Sequence, residues 1–136
     1  SRVASGLRVL YPKGVAMRCI RLLKDGEIVL ALADDGRHAG HSYRVRFLDG
    51  EAEIAGGVAA LSRLAQAPIV TFTVLPLGPR KWRVTADSPL EPPEPDSGAE
   101  GEHRLLQDMA DRWSETIRSN PEHWAASHPI SWVGDH

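Results

Sequence analysis

Apolar and polar positions recur with two different periods along this chain, and each period predicts its own kind of element. Val15/Ala16, Cys19/Ile20 and Leu23 fall at helical spacing, with Arg18, Arg21 and Lys24 on the opposite face. Asp25-Gly26 stops that helix, and Gly26 suits the left-handed position past its end. Glu27 to Leu32 follows as a nearly continuous apolar run of strand length, which after a helix reads as a buried parallel strand. Val9-Leu10-Tyr11 reads as a short strand ended by Pro12 and Gly14. The first third therefore predicts β-α-β, with a hydrophilic loop from Ala33 to Ser42 leaving the carboxyl end of the second strand.

Tyr43, Val45 and Phe47 alternate with Arg44 and Arg46, the period of a half-buried strand. Asp49-Gly50 supplies a turn, and Glu51 to Ile54 returns as a hairpin arm. Gly56-Gly57 opens a second amphipathic helix carried by Val58, Leu61, Leu64 and Ala65. Pro68 to Leu75 is the strongest strand signal in the chain; Leu77 to Arg80 is a Pro/Gly turn, and Trp82 to Ala86 a further strand. Asp87 to Gly101 holds four prolines, five acids and two glycines, so it reads as a linker or surface loop. Ser97-x-x-Glu100 matches a capping box. The clearest helix follows, with Leu106, Met109/Ala110, Trp113 and Ile117 in one stripe. Asn120-Pro121 ends it and can start a short second helix. Helices alternating with buried strands predict an α/β fold: a layered mixed sheet with flanking helices. It divides into a sheet portion over 1–86, a Pro-rich loop over 87–101, and C-terminal helices and tail over 102–136.

In such folds ligands bind beyond the carboxyl ends of strands. The loop after Leu32 holds the densest polar cluster: Asp34, Asp35, Arg37, His38 and His41. Arg37 suits a bidentate contact with phosphate or carboxylate, and Asp34 can accept from a sugar hydroxyl. The same residues also read as a solvated turn with a local ion pair. His38-x-x-His41 beside two aspartates has metal-ligand chemistry, as in a metal-dependent hydrolase, but nothing fixes a third ligand and solvated histidines fit as well. His103 and Asp108 have the spacing of a general-base dyad. On a helix, positions five apart diverge by about 140°, so the two would not meet. Gly56-Gly57 at a helix start suits either an anion or a tight turn. Cys19 lies on an apolar stripe and reads as core rather than nucleophile. Trp113 reads as core, whereas Trp124 and Trp132 suit either a core or a membrane interface.

Composition narrows the classes. The 136 residues give one domain by size, and 42% hydrophobic content with a net charge of −2 describes a folded chain. Sixteen basic residues against eighteen acidic ones argue against nucleic acid as a partner. One cysteine, Cys19, forms no internal disulfide. The longest apolar stretch, 68–77, is interrupted by Pro68, Thr71, Thr73 and Pro76, so no transmembrane helix is predicted. The chain begins Ser1-Arg2-Val3 without methionine and reads as a segment of something longer.

The order of motifs resembles a known family. An acidic loop, Phe47-Leu48-Asp49-Gly50, a helix ending Leu64-Ala65, and Ala67-Pro68-Ile69-Val70 opening a strand resemble the C-terminal half of the lipid A biosynthesis acyltransferases. That family includes lauroyl, myristoyl and phosphatidylinositol mannoside acyltransferases, within the wider glycerolipid acyltransferase group. Ile117-Arg118-Ser119-Asn120-Pro121-Glu122-His123-Trp124, followed by His128, is similar to its terminal signature, and Lys24-Asp25-Gly26-Glu27 to its Gly-Glu approach to a strand. The resemblance implies transfer of a fatty acyl group from acyl carrier protein or coenzyme A to a hydroxyl of a glycolipid. It implies peripheral work at the cytoplasmic face of the inner membrane, with the acyl carrier as co-substrate and no further cofactor. It maps acceptor contacts onto Asp34 and Arg37. It places the catalytic His-x4-Asp/Glu dyad before this segment, on a missing N-terminal half or a partner chain, so this chain alone would be inactive. Pro129-Ile130 stands where the family has an arginine pair, and Ala126 and Ser127 replace larger apolar residues. The alternative is a noncatalytic acyltransferase-like module that binds a lipid or a partner protein. A face left apolar where the missing half would pack favours self-association.

Overall fold

The computed structural model describes residues 6–8, 10, 14–32, 41–123 and 131–132. Its first helix, α1 (Val15–Lys24), forms where the sequence places it. Gly26, at φ 82°, closes it: the Gly26 N–H donates to the Leu23 carbonyl and the Glu27 N–H to the Leu22 carbonyl. That pair of bonds satisfies two carbonyls the helix leaves open, with glycine supplying the left-handed turn.

The run after this cap departs from expectation. Residues 27–32 form no strand, and Ile28, Leu30 and Leu32 are exposed at 95%, 58% and 69%. The expected buried parallel strand is therefore corrected. A parallel strand draws its burial from ladder neighbours, and no strand among the described residues pairs with this run. All strand pairs among the described residues are antiparallel. The proposed strand at Val9–Tyr11 lies largely outside the described residues.

Two hairpins carry the sheet structure. β1 (Ser42–Phe47) pairs with β2 (Gly50–Ala55), and β5 (Ser131–Trp132) adds to the far side of β2. The turn is Leu48-Asp49, one residue earlier than the sequence suggests, with Leu48 at φ 51°. The register places Val45 opposite Ala52 and Tyr43 opposite Ile54, so one face collects the apolar side chains. The other face sets Arg44 opposite Glu53 and Arg46 opposite Glu51, a favourable cross-strand charge pattern. The second hairpin, β3 (Phe72–Gly78) and β4 (Lys81–Ala86), forms a separate two-stranded sheet. β3 starts four residues later than expected. The preceding segment is instead tied down by two hydrogen bonds between Ile69 and Leu90 and by the Asp87 N–H donating to the Thr71 carbonyl.

Helix α2 (Gly57–Ala65) follows the first hairpin and lies between α1 and α3. Helix α3 (Gly98–Ser119) begins inside the segment read as loop and runs along β1. The expected capping box does not form: Ser97 is already helical in φ and ψ, and its hydroxyl donates to the Glu94 carbonyl at 2.6 Å. Asn120-Pro121 ends α3, and Pro121–His123 makes one 3-10 turn. The core joins Val45, Phe47, Ala52 and Ile54 of the sheet to Ala59 of α2 and Leu105, Leu106, Met109 and Ala110 of α3. This is a mixed α/β arrangement, with helices packed on one face of a small sheet.

Candidate functional site

The residues first considered for acceptor contact, Asp34 and Arg37, lie outside the described residues together with Asp35 and His38. His41 is described. Its ring sits edge-on to Tyr43 with centroids 5.4 Å apart, and its carbonyl accepts the Gly56 N–H at 2.8 Å. Among the described residues no three His, Cys, Asp or Glu side chains gather as a metal site. Cys19 is buried on α1.

Three polar arrangements stand out. The first is a buried junction between β1, α2 and α3. The Tyr43 hydroxyl donates to Glu102 Oε2 at 2.7 Å, and Arg63 Nε donates to Glu102 Oε1 at 2.8 Å. Arg63 also donates to the Pro95 carbonyl at 2.9 Å, tying the Pro-rich segment to the same point. Gln66, at the end of α2, donates to the carbonyls of Arg63 and Pro93. Hydrogen bonding to Glu102, burial and the Glu102 charge raise the Tyr43 phenol above its ordinary 10.0, while the Arg63 charge opposes the rise. Gly56 belongs here for steric reasons: a Cβ on it would come within 2.6 Å of the Tyr43 ring. The junction is closed on itself, and no buried side-chain nitrogen or oxygen among the described residues lacks a partner. Its chemistry is that of a strut. Sequence reading missed it, although Glu102 stands three, four and seven positions before Leu105, Leu106 and Met109. An acid in register with an apolar stripe is a signal that something buried awaits it.

The second arrangement explains His103. Among the described residues β1 is an edge strand, and α3 runs beside its open side. His103 Nε2 lies 2.6 Å from the Arg44 carbonyl. Gln107 Oε1 accepts the Arg46 N–H at 2.9 Å, and Gln107 Nε2 donates to the Arg46 carbonyl at 3.0 Å. Ser114 Oγ accepts the Leu48 N–H at 2.9 Å. Four helical residues rise about 6 Å and two strand residues about 6.6 Å, so His103 and Gln107 keep step with Arg44 and Arg46. The helix thus supplies side-chain partners where another strand would supply backbone, and the edge is capped. His103 stacks on Tyr43, with ring planes 14° apart, and engages the main chain rather than Asp108.

The third arrangement is open. A groove of about 400 Å³ runs between the β3–β4 hairpin and the C-terminal half of α3, lined by Thr73, Thr85, Asp87, Arg112, Glu115 and Asn120 among others. Arg112 holds its floor by donating to the Ser88 carbonyl and lies 3.4 Å from the Ser88 hydroxyl. Asp87 Oδ2 accepts from Thr71 at 2.6 Å. Hydroxyls and charges of both signs suit the groove to a polar group. Among the described residues its ionisable lining is Asp87, Arg112 and Glu115.

With this geometry in hand, comparison with known proteins settles the class. The family model of the bacterial lipid A biosynthesis acyltransferases matches residues 1–130, and the chain belongs to that family. Membership carries a general function in acyl transfer for lipid biosynthesis, with an acyl donor and a lipid acceptor as substrates. Comparison with curated proteins gives no match.

Proposed function

We propose that this chain is the C-terminal half of an acyltransferase that moves a fatty acyl group from acyl carrier protein or coenzyme A to a hydroxyl of a glycolipid. The reaction takes place at the cytoplasmic face of the inner membrane, where the enzyme is peripherally bound. The family match over residues 1–130 carries this reading. The acceptor oxygen attacks the thioester carbonyl, the carbon–sulfur bond breaks, and the thiol leaves with the proton taken from the hydroxyl. His103 is the one histidine in the chain followed at the fifth position by an acid, and it is committed to the edge of β1. The base is accordingly assigned to a dyad outside this chain. Asp34 and Arg37 are assigned to the acceptor, with the guanidinium on its anionic group and the carboxylate on a sugar hydroxyl. In the complete enzyme, Arg37→Ala should raise the acceptor KM at least tenfold and leave the acyl-donor KM within twofold, since losing a charge-assisted contact costs roughly 1.5–3 kcal/mol. Unchanged acceptor kinetics would remove Arg37 from the site.

A further inference from the structure

The β3–β4 hairpin wears its apolar face outward. By register, Phe72 lies opposite Ala86, Val74 opposite Val84, and Pro76 opposite Trp82, so these six side chains share one face. Phe72, Val74, Trp82 and Val84 are exposed at 48%, 46%, 64% and 65%. The opposite face carries Thr73, Leu75, Arg83 and Thr85, of which Thr73, Leu75 and Thr85 line the polar groove against α3. The hairpin therefore turns its more polar side toward the groove and presents its apolar side.

Charge at the tip is equally uneven. Arg80, Lys81 and Arg83 flank Trp82, three cations within four positions. Between Glu53 and Asp87 the chain holds no acid, although the whole chain is net −2. None of the three makes an ion pair or side-chain hydrogen bond among the described residues. Leu77, beside the bulge between Pro76 and Gly78, is exposed at 53%.

From this pairing of an uncovered apolar face with an unpaired basic tip, we propose that the β3–β4 hairpin docks the protein on an anionic lipid surface. Trp82, Val84, Val74 and Phe72 sink toward the acyl layer. Arg80 and Lys81 at the turn, and Arg83 reaching round the edge of the narrow two-stranded ribbon from its other face, keep their charges among the lipid phosphates. A neutral protein partner would cover the apolar residues and leave the cations unmatched, whereas an anionic bilayer satisfies both. The proposal deepens the reading of acyl transfer at a membrane, and its test measures no acyl transfer, so either can fail alone.

The test is co-sedimentation of the complete protein with vesicles of phosphatidylethanolamine and phosphatidylglycerol, and with vesicles of phosphatidylcholine. Wild-type protein should prefer the anionic vesicles and be released by salt. The triple variant Arg80→Gln/Lys81→Gln/Arg83→Gln should lose anionic partition on the order of a hundredfold, at roughly fivefold per cation, and keep its weak phosphatidylcholine binding. Trp82→Ser/Val84→Ser should lose about tenfold or more on both. Thermal midpoints should not move, because the altered side chains are exposed. Unchanged partition in both variants would overturn the proposal. So would a wild-type dimer abolished by Trp82→Ser/Val84→Ser, which would show a second copy on this face. A midpoint lowered by several degrees would overturn it as well, by showing the face covered within the protein itself.

Discussion

The two hairpins are built from the same alternation and end in opposite situations. In β1–β2 the residues Val45, Phe47, Ala52 and Ile54 point at α3 and are buried. In β3–β4 the residues Val74, Trp82 and Val84 point at solvent. Period-two patterning fixes which side chains share a face, because consecutive residues of a strand point to opposite sides. It does not fix which face is covered. That choice belongs to the helix that runs alongside. α3 offers Leu105, Leu106 and Met109 to the first hairpin, and Arg112, Glu115 and Thr116 to the second. One helix thus builds a core at its first half and a polar groove at its second.

The sharpest way to break this comparison is a matched pair of truncations. Leu106 is fully buried, at 0% exposure, and Leu106→Ala should cost about 2–5 kcal/mol in denaturant unfolding. Val84→Ala on the exposed hairpin should stay within about 0.5 kcal/mol. Equal costs would mean that the second hairpin is as deeply packed as the first. Next in size is the junction behind the first hairpin. Glu102→Gln leaves Arg63 partly buried without its carboxylate, with side-chain exposures of 19% for Arg63 and 10% for Glu102. The loss should reach roughly 2–3 kcal/mol, since breaking a well-buried pair costs more and an exposed one almost nothing. Glu100→Gln, in the exposed pair with Arg104 on the same helix, should change unfolding by less than about 0.5 kcal/mol. A similar loss from both would show that burial of the Glu102 pair contributes nothing.

What the sequence disclosed follows the same division. The α1 helix and its glycine cap, the first hairpin and the stripe of α3 were legible because each is set by neighbours within a few positions. The run 27–32 was misread because burial of an apolar run depends on a partner strand, which no local pattern can supply. The junction was missed because Tyr43 and Glu102 are separated by 59 positions, and each looked ordinary in its own element. His103 shows the converse. Its spacing to Asp108 carried a chemical suggestion, but a strand edge from a distant part of the chain had the stronger claim on its ring. Asp34 and Arg37 owe their assignment to the polar chemistry of their loop and to motif order, since that loop lies outside the described residues.

The smaller of the two effects at the junction is also the more specific to it. Tyr43→Phe removes the hydrogen bond to Glu102 and should cost about 1–2 kcal/mol near neutral pH. The pH dependence then separates a hydrogen-bonded phenol from a merely packed ring. Bonding to Glu102, with burial and the carboxylate charge, raises the Tyr43 pKa above 10.0 in the folded protein. Between that ordinary value and the raised one, the folded state keeps a proton that the unfolded state has lost. Stability therefore falls as pH rises through this window. The contribution is fully present below about pH 10 and is lost as pH climbs through the raised value. Tyr43→Phe has no such proton, so the wild-type advantage over the variant should hold constant to about pH 10 and then shrink. Urea midpoints of both proteins across that range make the comparison, with every other titrating group shared and cancelling. Parallel curves above about pH 10 would mean that Glu102 does not hold the phenol's proton, and would reduce the junction to the Arg63–Glu102 pair.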